Sequence, residues 1–131
     1  MKHCDILLID DDLDDIEILV EALNKNGVEN IHYVLTAREA FQYLKDVYPD
    51  CIPKVIVTDM LLPAVSGVQF LEQLRTMDEY KNVKVVVLTS GNSEYQKQKF
   101  RKMGAVDIYV KPYDLEGYTT IAEKIKCKIE V

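Results

Sequence analysis

Residues 6–12 read Ile6-Leu7-Leu8-Ile9-Asp10-Asp11-Asp12. Four apolar residues without polar alternation are the pattern of a strand buried on both faces. The run then stops at three carboxylates, so the strand ends at a polar edge. Similar runs recur at Val55–Val57, Val83–Leu88 and, more weakly, Ile108–Val110; Ile31–Leu35 is a less marked fifth. Amphipathic stretches fill the gaps. Ile16, Leu19, Val20 and Leu23 follow helical spacing, with Gly27 as a stop. Thr36 and Glu39 form a capping-box pattern ahead of Ala40, Phe41 and Leu44, and Ser66 precedes Val68, Leu71 and Leu74. Ser93 and Gln96 repeat the box before Phe100 and Met103, and Asp114 is placed to cap a helix bearing Tyr118, Ile121, Ala122 and Ile125. Strand followed by helix, five times over, predicts an α/β doubly wound parallel sheet in three αβα layers.

In such sheets the reactive groups stand at the carboxyl ends of the strands, beside the point where strand order reverses. Here the first strand ends at Asp10 and Asp11, the third at Asp59, the fourth at Thr89 and Ser90, and the fifth at Lys111 and Pro112. The polar groups of chemical interest all fall on one predicted edge.

Three carboxylates at one edge repel one another and raise at least one pKa unless a cation intervenes. A hard divalent ion with oxygen ligands relieves the conflict, and magnesium suits one or two carboxylates plus waters and phosphate oxygens. Calcium fits less well, because residues 10–17 lack the glycine and the bidentate Glu of a calcium loop. A carboxylate can also attack phosphorus to give an acyl phosphate. Thr89 offers a hydroxyl to a phosphoryl oxygen, and Lys111 offers a positive charge. Acid pair, nucleophilic Asp, hydroxyl and lysine together make a phosphoryl-transfer site with an aspartyl acceptor.

These residues carry a resemblance. The segments ILLIDDD, TDMLLPAVSG, VVVLTSG and YVKP, in that order along nearly the whole chain, resemble the receiver domains of two-component response regulators. Asp59, Pro63 and Gly67 match the family's D-x-x-x-P-x-x-x-G pattern. Thr89 lies 30 residues after Asp59, and Lys111 lies 22 after Thr89. The resemblance implies a flavodoxin-like (βα)5 sheet of order 2-1-3-4-5 and a receiver domain over 1–131 with no output domain. It implies Asp59 as phosphoacceptor, with Thr89 and Lys111 binding the phosphoryl group. It implies magnesium, or manganese in its place, on Asp11, Asp59 and the Leu61 main-chain carbonyl, with Asp10 acting through a water. The donor would be the phosphohistidine of a sensor histidine kinase or phosphotransfer protein. The output partner would dock on the face of the fourth helix, fifth strand and fifth helix, from about Ser93 to Cys127, where Tyr95, Tyr109 and Tyr118 are candidates. The protein would be a monomer or weak homodimer and no enzyme beyond its own phosphoryl transfer and dephosphorylation.

Asp12, Asp14 and Asp15 lie outside that set, and Asp12 and Asp15 are expected to cap the first helix reciprocally. The IDDDLDD string bears a fainter likeness to single-domain regulators associated with phytochromes. Other positions depart from the family. Three residues before Lys111 stands Ile108, where an aromatic switch residue is usual. Tyr109 next to it should face the other side of the sheet, so signalling is expected to run through Thr89 and the loop after it. Leu61 and Gly91 occupy positions that influence the attacking water, and neither side chain hydrogen-bonds water, so slow dephosphorylation is expected. Pro112 after Lys111 marks a turn and is a candidate for a cis bond. Two rival readings remain: a haloacid-dehalogenase-type phosphatase with Asp10 as nucleophile, and a pseudo-receiver that binds partners without phosphorylation.

Composition narrows the partners. The chain has 131 residues, with 22 acidic and 16 basic, for a net charge of −6. Asp10, Asp11, Asp12, Asp14 and Asp15 supply nearly all the excess. An acidic surface without an interleaved basic–aromatic stripe disfavours nucleic acid and anionic membranes. No run reaches the length of a membrane span, and the N-terminal apolar run is too short for a signal peptide, so a cytoplasmic location is expected. Cys4, Cys51 and Cys127 have no metal-type spacing and are expected as free thiols, and His3 and His32 carry no chemical role.

Overall fold

The structure, a computed structural model, describes residues 4–91 and 94–130. Its elements run β1 Ile6–Ile9, α1 Leu13–Lys25, β2 Ile31–Val34, α2 Ala37–Val47, β3 Val55–Asp59 and α3 Gly67–Arg75. A 3-10 turn at Asp78–Tyr80 leads to β4 Lys84–Thr89, α4 Glu94–Lys102, β5 Asp107–Val110 and α5 Leu115–Glu130. The capping box at Ser93, like His3, lies outside the described residues.

All four strand pairings are parallel and the order is β2-β1-β3-β4-β5. This is the flavodoxin-like arrangement. The apolar runs became the central strands because both faces are covered. Leu7, Ile9, Ile56, Val85 and Val87 pack with α2, α3 and Phe100 of α4, while Ile6, Leu8, Val55, Val57 and Val86 pack with α1 and α5. From β1 the chain steps outward to β2 and then back across to β3, so order reverses at β1. The crevice between the carboxyl ends of β1 and β3 is therefore the expected site.

Caps fix the helix starts. Asp12 Oδ1 accepts from the Asp14 and Asp15 N–H groups at 3.0 and 3.3 Å. Asp15 gives nothing back to Asp12, which corrects the reciprocal cap; its side chain is drawn to an ammonium instead, as described below. At α2, Thr36 Oγ1 accepts from the Glu39 N–H, but the Thr36 hydroxyl also donates to the Glu39 carboxylate, so that box is not closed through the backbone. A complete box stands at α3: Ser66 Oγ accepts from the Gln69 N–H, and Gln69 Oε1 accepts from the Ser66 N–H. Asp114 Oδ1 accepts from the Gly117 N–H at 2.8 Å and starts α5.

Among the described residues the cis peptide bond is at Tyr48–Pro49, not at Lys111–Pro112. Lys111 stays in extended pairing, its N–H donating to the Thr89 carbonyl at 2.7 Å, and the chain leaves the sheet beyond it without a cis bond. The three cysteines are free. No helix among the described residues is long and apolar enough to cross a membrane.

Candidate functional site

Asp10 follows β1 and is 7% exposed. Its N–H donates to the Val34 carbonyl, extending β1 along β2, and its Oδ1 accepts from the Asp12 N–H at 2.9 Å. Asp11, next along, is exposed. Asp59 closes β3 opposite Leu88 of β4, with its side chain largely covered. One carboxylate oxygen from each of Asp10, Asp11 and Asp59 lies within 4.8 Å of the others. The strand ends thus bring the predicted acids into one cluster.

Lys111 enters from the far side of the sheet. Its Nζ stands 2.9 Å from Asp10 Oδ2, 2.9 Å from Asp15 Oδ2 and 3.2 Å from Asp59 Oδ2. An ammonium has three donors, and three carboxylates take them. Burial works against the Lys111 charge, but hydrogen bonds to Asp15 and Asp10, with the charges of Asp10 and Asp59, outweigh it and hold its pKa above the ordinary lysine range. Burial pushes the Asp10 carboxyl up, and the Asp12 N–H and Lys111 pull against it.

Asp15 is the residue that sequence reasoning missed. It sits in the first turn of α1, and that turn aims it at Lys111. One acid in a string of five carries no mark of its own; the available signal was its place a helical turn beyond Asp11.

Thr89 is buried at the end of β4, and its hydroxyl is hydrogen-bonded to the loop after it. Oγ1 accepts from the Gly91 N–H at 2.9 Å and lies 3.5 Å from Met60 Sδ. Leu61 is 69% exposed. Ile108 packs with the α2–α3 side of the core and Tyr109 with the α1–α5 side, so the two do face opposite ways. The Tyr109 hydroxyl donates to Asp107 Oδ2 at 2.7 Å and accepts from Lys128 Nζ at 3.0 Å. Tyr118 is buried against α1 and the sheet, which removes it from the proposed partner surface; Tyr95 is exposed.

The loop from β3 to α3 is held tightly. The Val65 N–H donates to the Pro63 carbonyl at 2.7 Å across Ala64, whose φ is 65°. That is a γ-turn with a left-handed centre, a rare and strained form. The Gly67 N–H donates to the Met60 carbonyl, and a Cβ on Gly67 would lie 2.6 Å from the Asp59 carbonyl oxygen.

Fold and site together define a doubly wound α/β domain with an acid cluster and a single lysine at its switch point. A family profile described as "Response regulator receiver domain" matches residues 6–123. The chain belongs to that family, the receiver domains of two-component phosphorelay signalling. It is 27% identical over 124 residues to sporulation initiation phosphotransferase F of Bacillus subtilis, across 95% of this chain and 94% of that protein. The structure of the phosphorylated cyanobacterial phytochrome response regulator RcpA is similar, with TM-score 0.84 and 25% identity over 95% of this chain and 91% of that one. The manganese-bound form of the response regulator Rcp1 shares the fold, with TM-score 0.78 and 21% identity over 96% of this chain and 92% of that one.

Proposed function

We propose that Asp59 accepts a phosphoryl group from the phosphohistidine of a sensor kinase or phosphotransfer protein, in a reaction that requires a divalent cation. The observation that carries this reading is the convergence of Asp10, Asp11 and Asp59 oxygens beside Lys111. The donor set fits a hard cation: all ligand atoms are oxygens, Asp10 is buried and Asp11 open to solvent. Magnesium, or manganese as bound by Rcp1, would be held by Asp11, Asp59 and the Leu61 carbonyl, with Asp10 through a water. When bound, the ion supplies charge that offsets the negative phosphoryl oxygens.

An Asp59 carboxylate oxygen attacks phosphorus as the phosphorus–nitrogen bond to the donor imidazole breaks; the imidazole leaves with the bonding pair, and a proton on its other ring nitrogen makes it neutral. Lys111 Nζ shifts its contact from Asp59 to a phosphoryl oxygen. The Thr89 hydroxyl leaves Gly91 to donate to another. The acyl phosphate carries a charge of about −1.5 to −2 in place of the single carboxylate charge, and the change biases the loop after β4 and the α4–β5–α5 face, where Tyr95 is available to a partner. Ile108 leaves this change without an aromatic companion, and Leu61 and Gly91 offer no hydrogen bond to an attacking water, so the acyl phosphate is long-lived. Action in the cytoplasm belongs to the same reading.

Incubation with acetyl phosphate and magnesium chloride, read by intact mass, tests it. The expected result is one phosphoryl adduct that Asp59→Asn abolishes. An adduct surviving Asp59→Asn and mapping to Asp10 points to the phosphatase reading, and no adduct points to the pseudo-receiver.

A further inference from the structure

Asp15 is outside the three carboxylates that converge on one another, yet its Oδ2 is as near to Lys111 Nζ as Asp10 is, and nearer than Asp59. The cap of α1 uses Asp15 only through its main-chain N–H, so its carboxylate is committed to Lys111. The other two partners of the ammonium have further duties. Asp10 and Asp59 are the groups that a cation and a phosphoryl group would engage, and both contacts to Lys111 then change. Asp15 is the partner that neither of those groups would engage. A lysine stem has four flexible carbons, and holding its head in place costs rotamer entropy unless a fixed acceptor does so beforehand.

We propose that Asp15 is a positioning residue that holds the Lys111 ammonium over Asp59, so that the incoming phosphoryl group meets an oriented charge. The proposal rests on the reading of Asp59 as acceptor. It predicts a dependence that runs through Lys111 and not through the loss of one negative charge near the site.

The test compares phosphorylation rates with phosphoramidate and saturating magnesium chloride in the wild type, Asp15→Asn, Lys111→Met and the double variant. Asp15→Asn is expected to slow the reaction about five-fold when Lys111 is present, the scale of one good ion pair. In the Lys111→Met background the same replacement should lack that slowing, giving a ratio of effects of about five. Asp15→Glu should recover most of the rate. A ratio of one overturns the proposal, because a field effect or a purely structural role acts alike in both backgrounds. Lys111→Gln replaces Lys111→Met if the latter does not fold by circular dichroism. A second measurement needs no turnover: the Lys111 Nζ–H signal in 15N NMR, sharp where the ammonium is held, should broaden away in Asp15→Asn. A signal unchanged in that variant also overturns the proposal. Absence of any adduct on the wild-type protein would instead defeat the Asp59 reading.

Discussion

Gly67 has no room for a methyl group. Its Cβ position is 2.6 Å from the Asp59 carbonyl and 3.0 Å from that of Met60, both backbone atoms that cannot swing aside. Gly67→Ala must therefore push the end of β3, and the proposed acceptor with it. A loss of about 1–3 kcal/mol in urea unfolding is expected, together with slower phosphorylation of Asp59. An unchanged midpoint would show that the loop yields freely. At this scale most of the site was legible in advance. Asp10, Asp11, Asp59 and Lys111 each follow an apolar run, and a parallel sheet sends all such ends to one edge. Asp15 was not legible, because its reach is decided by where α1 starts and by Lys111 arriving from β5. The turn of the Thr89 hydroxyl toward Gly91 depends on a local choice of rotamer that no pattern encodes.

Among the elements, α3 and its surroundings are joined by one side chain. Arg75, the last residue of α3, donates from Nη1 to the carbonyls of Tyr80, Lys81 and Val83 at 3.0–3.3 Å, and from Nη2 to the Gly104 carbonyl at 3.0 Å. It closes the 3-10 turn, the entry to β4 and the turn after α4 against the end of α3. Gly104, with φ of 93°, ends α4 with its carbonyl facing that guanidinium. Arg75→Ala leaves these carbonyls without their shared donor, and some are partly buried. A loss of about 1–3 kcal/mol by urea unfolding is expected, with Arg75→Lys recovering only part because an ammonium lacks the planar fork. Nothing in the sequence marks this arginine, since it reads as the ordinary basic residue of a last helical turn. The strands and helices themselves were legible because their periodicities differ, and β3 and β4 end at Asp59 and Thr89, the polar residues expected to close them.

Across the whole molecule, charge is divided between two ends of the sheet. The carboxyl edge holds the acid cluster. Near the opposite end of β5, Asp107 pairs with Lys128 at 2.8 Å and accepts from the Tyr109 hydroxyl. Burial raises the Asp107 pKa, but Lys128 and Tyr109 outweigh it and hold it below the ordinary 3.8. A depressed carboxyl stabilises the fold above the unfolded value and loses that contribution as pH falls through the folded value. Asp10 has the opposite sign, since its raised pKa favours the fold on the acid side and that contribution fades as pH rises. The Asp107 side chain is 44% exposed, so its pair is worth only a few tenths of a kcal/mol. Asp107→Asn should lower the urea midpoint slightly at pH 7, and the gap to wild type should narrow as pH falls below the ordinary 3.8. A gap that stays constant as pH falls would assign the effect to shape and not to charge.

The long span of the Lys111 contacts has a consequence for synthesis. Its three partners precede it by 101, 96 and 52 residues. A chain leaving the ribosome therefore exposes Asp10, Asp11, Asp15 and Asp59 well before their counter-ion exists. Four strands can pair while the pocket still holds one sign of charge. The last edge strand and the ammonium arrive in a single event, so completing the sheet and bringing positive charge to the pocket are the same step.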